Sequence, residues 1–149
     1  MEPKRLREAL EIWQSASERP YQALIEDGYY EEFLEELSRR ILVLEKDIYR
    51  GTDTRINLEL GEIFEYTYPT SWSFDYDCAL NFVKEYKDVC VLHLRRGDKV
   101  HGIINNRNEH GEEEFILDKM RLKVVNKYIE DNEDGDERRE TIIEVEICT

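Results

Sequence analysis

The sequence predicts an α+β domain, with helices first and strands after them. Two observations carry that expectation. Apolar residues recur at helical spacing through the first third of the chain, and from about residue 46 onward the chain breaks into short β-patterned runs between polar or glycine-bearing turns. The 149 residues suit one domain with a real core, read here as a helical part over about 1–44 and a β core over about 45–149.

Taken in order, Leu6, Leu10 and Trp13 share one helical face until "SERP" interrupts it. Tyr30, Leu34, Leu37, Ile41 and Leu44 form a second stripe with charges on the other faces; both stripes read as packing surfaces. "KDIYRG" is a short strand stopped by Gly51, "EIFEYT" follows Gly61, and "PTSWS" begins behind Pro69. "DYDCALNFVKEY" returns to helical spacing through Ala79, Phe82, Val83 and Tyr86. The runs "DVCVLHLR", "VHGII", "EEFIL" and "RLKVVNKY" are strands, with "RGD" at 96–98 as a connecting turn. After the turn "NEDGDE", "TIIEVEI" alternates Ile143, Val145 and Ile147 against Glu144 and Glu146, so the last two strands should pair as a hairpin.

Charge narrows the function. With 35 Asp plus Glu against 21 Lys plus Arg, the net charge is -14, a field that repels nucleic acid and anionic membrane but leaves room for a local basic pocket. No basic start precedes an apolar stretch, and no run is long enough to span a bilayer, so a cytoplasmic protein without a signal peptide is expected. Cys78, Cys90 and Cys148 lack paired spacing and read as reduced, buried thiols. Neither they nor His93, His101 and His110 form a short ligand pair, so no metal is expected.

The stretch "EHGEEEFIL" sets Glu112, Glu113 and Glu114 side by side at the start of a strand, where like charges repel. Strand alternation turns Glu112 and Glu114 to one face, about 7 Å apart, with Phe115 and Leu117 anchored on the other side. Glu113 should then face away as a spectator. Solvated loop ends are the plain alternative. In "DIYRGTD", Arg50 before Gly51 offers a planar fork for a phosphate, or is a surface arginine in a turn. Thr70, Ser71 and Ser73 put small hydroxyls on a strand ahead of a helix, where Ser73 or Asp75 could equally be the helix cap.

In order and spacing, these three stretches resemble the motifs of the mono-ADP-ribosyltransferases of the Arg-Ser-Glu class, over roughly residues 45 to 126. "YRG" looks like the first motif, making Arg50, with Gly51, the grip on the NAD phosphates. "TSWSFDYDCALNF" is similar to the second, a Ser-Thr-Ser strand followed by Ala and Phe; Ser71 would brace the NAD site beside Ser73, and Trp72 stands where the family has threonine. "EEEFILDKMRLKVV" looks like the third, with Glu114 the catalytic glutamate and Glu112 serving the acceptor. The resemblance implies N-terminal helices packed on a mixed or antiparallel β core of two small sheets enclosing an NAD cleft. It also implies NAD as co-substrate, a protein acceptor at arginine, and a toxin- or phage-like effector. "NNRNEHG" lacks the aromatic residue that often meets the acceptor in this class, which leaves the acceptor open. Two other readings stay in view: an acidic decoy that occupies a basic partner, and an enzyme that only hydrolyses NAD.

Overall fold

The computed structural model describes residues 1–16, 19–52, 58–81, 83, 88–105, 113–130 and 139–148. Three helices come first: α1 (Pro3–Ser15), α2 (Pro20–Glu26) and α3 (Tyr30–Arg39). Proline starts both α1 and α2, where its fixed φ suits a first helical turn and its missing N–H costs no bond. Helix α3 carries Glu31 and Glu32 in its first turn and Arg39 in its last, matching the helix dipole at both ends.

The second apolar stripe therefore ends earlier than its spacing suggests. Ile41 and Leu44 lie beyond α3, and Ile41–Val43 forms a short strand, β1. Two β-branched residues flank Leu42, and pairing with a neighbouring strand outweighs the helical spacing. The other strands are β2 (Ile48–Thr52), β3 (Ile63–Tyr66), β4 (Thr70–Ser73), β5 (Asp88–Leu94), β6 (Lys99–Asn105), β7 (Glu114–Leu117), β8 (Met120–Glu130) and β9 (Arg139–Ile147). Helix α4 (Tyr76–Asn81) sits between β4 and β5. The expected hairpin is present, with β8 antiparallel to β9. The "RGD" segment is a turn: Gly97 takes a positive φ of 97° and its N–H bonds the Leu44 carbonyl at 2.7 Å.

The strands hydrogen-bond in the order β1-β6-β7-β4-β2-β5-β9-β8-β3, mixed because β5 runs parallel to β9. The two sheets implied by the motifs are thus joined into one ladder. The join is narrow: β2 meets β4 through the single registered pair Tyr49↔Ser73. One core packs Trp72, Phe115 and Leu117 of the β6-β7-β4 half against Ile48, Leu92, Leu94, Leu122 and Val145 of the other half. A second core sets Ala9, Trp13, Leu24, Phe33 and Leu37 of the helices on Ile103 and Ile116, which face away from the first core. Trp13 is 2% exposed with its ring centroid 5.8 Å from that of Phe33, and burial of each such ring stabilises by about 1.5–3 kcal/mol. The alternation expected of the third motif holds at Phe115 and Leu117, both buried in the first core, while Glu114 shares a face with Ile116.

Candidate active site

Below Tyr49↔Ser73 the ladder between β2 and β4 stops, and the strands part. Arg50 spans the gap. Its Nη1 donates to the Ser71 carbonyl at 3.0 Å, so a guanidinium stands where a backbone bond would otherwise lie. Nε donates to Tyr66 Oη at 3.4 Å, and the guanidinium carbon lies 5.4 Å from that ring's centroid. The parted strands open a cleft of about 230 Å³ lined by Arg50, Gly51, Ser71, Ser73, Ala79 and Glu114, together with Tyr49, Trp72, Cys78 and Glu113. Arg50, Ser71 and Glu114, drawn from three separate strands, are brought to one hollow.

Gly51 makes room for that hollow's roof. A Cβ there would collide with the Ala79 carbonyl oxygen of α4 and lie 3.1 Å from Val83 Cγ2. The glycine is required by close approach, not by its dihedrals. Gly51→Ala should lift α4 and lower stability by about 1–3 kcal/mol. Thermal melts would show a drop of several degrees; an unchanged midpoint would contradict the packing role. The capping alternative is realised as well. Ser73 Oγ accepts from the Asp75 N–H at 3.0 Å and Asp75 Oδ1 from the Asp77 N–H at 2.9 Å, so Ser73 is both cleft wall and part of the turn into α4.

Glu114 opens β7 in register with Ser73 on one side and Asn105 on the other. Asn105, 3% exposed, donates through Nδ2 to Glu114 Oε1 at 3.4 Å, and its Oδ1 is buried without a partner among the described residues. Ser71 shares this face, diagonal to Glu114 across the β4–β7 ladder. Burial pushes the Glu114 carboxyl above its ordinary range, and the Asn105 and Ser71 side chains pull part of the way back. Such a carboxylate gains most when positive charge arrives beside it.

Glu112 and Phe82 lie outside the described residues. Glu113, expected to face away, lines the cleft instead, because the strand begins only at Glu114 and its alternation does not extend back to residue 113. Of the cysteines, Cys90 is buried, whereas Cys78 and Cys148 are partly exposed and Cys78 lines the cleft. No group of three or more metal-ligating side chains occurs among the described residues, and none of the described helices is long and apolar enough to cross a membrane.

Three contributors had no distinct sequence signal: Tyr49, Asn105 and Trp13. Tyr49 stacks on His93 at 4.7 Å and meets Tyr76 edge-on at 5.4 Å, which fixes the ring as a cleft wall. The Trp13 Nε1–H donates to Ser71 Oγ at 2.8 Å, tying α1 to the second motif. A second hollow of about 350 Å³ shares Arg50 and Ser71 with the cleft and is lined by Trp13, Arg19 and the Tyr21–Tyr68 pair, stacked at 4.5 Å.

This architecture is that of the ADP-ribosyltransferase toxins. The chain superimposes on C3larvin toxin, an ADP-ribosyltransferase from Paenibacillus larvae, with a TM-score of 0.67 at 15% identity over 100% of this chain and 89% of that one. It also matches Plx2a, an ADP-ribosyltransferase toxin of the same organism (TM-score 0.64, 13% identity, 100% of this chain and 88% of that one). The enzymatic component C2-I of the Clostridium botulinum C2-toxin matches with a TM-score of 0.69 at 13% identity over 99% of this chain, which spans 44% of that one. No protein-family model and no curated protein sequence matches the chain. The shared property is the fold.

Proposed function

We propose that this protein is an NAD-dependent mono-ADP-ribosyltransferase that transfers ADP-ribose to a protein acceptor, at arginine. The observation that carries the reading is the convergence of Arg50, Ser71 and Glu114 on one cleft in a chain with this fold. The residues suit the dinucleotide. A guanidinium suits a pyrophosphate, and a half-buried carboxylate suits a cationic ribose.

When bound, NAD supplies a nicotinamide leaving group that departs with the bonding electron pair, so positive charge develops on the ribose. Glu114 stabilises that charge through its carboxylate by accepting from the ribose 2′-hydroxyl, and does so most strongly because the site is partly dry. Ser71 and Asn105 hold the Glu114 carboxylate in place. Arg50 grips phosphate through its planar fork. Glu112 serves the acceptor: it takes the proton that an arginine guanidinium must lose as its nitrogen bonds the ribose carbon, since a charged guanidinium is a poor nucleophile.

The test is a paired assay on one sample, following nicotinamide release and the labelling of agmatine or of proteins in a cell lysate from adenylate-labelled NAD. Both activities are expected in the parent. Glu112→Gln should keep substantial nicotinamide release, with water as acceptor, and lose labelling. Undiminished labelling in that variant would remove arginine as the acceptor. Nicotinamide release by the parent with no labelled acceptor would make the protein an NAD glycohydrolase.

A further inference from the structure

We propose that Trp13, in the N-terminal helix α1, is a positioning residue of the catalytic centre, whose indole N–H fixes the Ser71 hydroxyl as a donor to Glu114. The inference rests on the reaction proposed above for its catalytic meaning, and on geometry for its existence. An indole N–H can only donate, so in the 2.8 Å contact between Trp13 Nε1 and Ser71 Oγ the serine oxygen is the acceptor. A serine hydroxyl has one proton. With its oxygen taken by Trp13, that proton is free to turn to Glu114, which lies diagonal to Ser71 across the β4–β7 ladder, on the same face and in the same cleft. Three elements are thereby aligned, α1 through β4 to β7, in a chain Trp13→Ser71→Glu114.

The first member of that chain is held firmly. Trp13 is 2% exposed, set between Phe33 and the helical core that rests on Ile103 and Ile116. Its ring is packed by residues that do not touch the cleft, so the N–H is aimed by the helical layer. Without that N–H, the Ser71 hydroxyl can rotate and spend its proton elsewhere. The other groups around the cleft that bear on Glu114 are Asn105 of β6, Tyr49 and Arg50 of β2, Cys78 of α4 and Glu113 beside it. Trp13→Phe alters none of them directly. It keeps an aromatic ring in the core and deletes the donor.

The experiment compares the parent with Trp13→Phe, Ser71→Ala and the double variant, and takes Phe33→Leu as a control for loosened packing. The first readout is the titration of the Glu114 carboxyl in resting protein, by carbon NMR on side-chain-labelled glutamate assigned with Glu114→Gln. Trp13→Phe and Ser71→Ala should each move the titration to higher pH, because a carboxylate that loses a donor holds its proton more tightly. The double variant should move it no further than Ser71→Ala alone, while Phe33→Leu leaves it in place. The second readout is NAD cleavage: in Trp13→Phe, kcat should fall roughly tenfold with KM little changed, and the acid limb of its pH profile should move the same way. Should Trp13→Phe not fold, the indole N–H resonance of the parent decides, since it must shift and lose exchange protection in Ser71→Ala. An unmoved Glu114 titration in folded Trp13→Phe, additive effects in the double variant, or an indole signal indifferent to Ser71→Ala would overturn the assignment. Because the titration is read without NAD, failure of the parent to cleave NAD would count against the proposed reaction, independently of the Trp13 result.

Discussion

Glu114→Gln is expected to lower nicotinamide release by roughly 10²–10³-fold and, at neutral pH, to raise the melting temperature. The first effect follows from removing the charge that meets the developing cation while keeping the side chain's shape. The second follows from burial. The folded Glu114 carboxyl holds its proton more tightly than an unfolded glutamate does. Its contribution therefore favours the fold below the unfolded value, about pH 4.3, and is lost as pH rises through the folded value. At neutral pH the parent keeps a carboxylate in a partly dry site, a cost that glutamine avoids. Melts of both proteins across the acid to neutral range would show the variant's advantage growing with pH. A variant less stable than the parent at every pH, or one that still cleaves NAD at the parental rate, would sink this account of Glu114.

The second large effect is expected at Arg50. Arg50→Lys keeps a charge but loses the planar fork, and NAD affinity should fall about tenfold or more, ~1.4 kcal/mol. The same change removes the bond from Nη1 to the Ser71 carbonyl, which bridges β2 and β4 where their ladder has ended. Calorimetric titration with NAD and with ADP-ribose separates recognition of the pyrophosphate from recognition of nicotinamide. Both ligands carry the pyrophosphate, so both should weaken alike. Parental affinity for both ligands in Arg50→Lys would place the phosphate grip elsewhere.

Much of this fold was legible in local pattern. Alternation in "EEFIL" put Phe115 and Leu117 into the core and set Glu114 on the opposite face, and the structure has them so. The hairpin of β8 and β9, the α4 segment and the turn at Gly97 were legible for the same reason: each depends on neighbours in the chain. Of the cleft lining, Arg50, Ser71 and Glu114 are legible from the motifs. What could not be read depends on residues far apart in sequence. Trp13 looked like one more apolar position on a helical stripe, and its partner Ser71 lies 58 residues away. Asn105 gained its role only through register with Glu114. Gly51 read as the end of a strand, yet its lack of a side chain is set by Ala79 of a helix packed across it. Ile41–Val43 kept helical spacing, and only the pairing with β6 decided its conformation. Glu113 borders the cleft because the strand, and with it strict alternation, begins one residue later, at Glu114.

The central claim is that this cleft splits NAD at the nicotinamide-ribose bond with Glu114 as the stabilising charge. The most direct measurement is a timed mass balance on purified protein with NAD, following nicotinamide, free ADP-ribose and ADP-ribose attached to agmatine, with Glu114→Gln run in parallel. The account predicts that every nicotinamide released by the parent is matched by one ADP-ribose, mostly on agmatine when that acceptor is present, and that folded Glu114→Gln releases almost none. Intact NAD after prolonged incubation with folded parent, or equal release by the parent and Glu114→Gln, would contradict it.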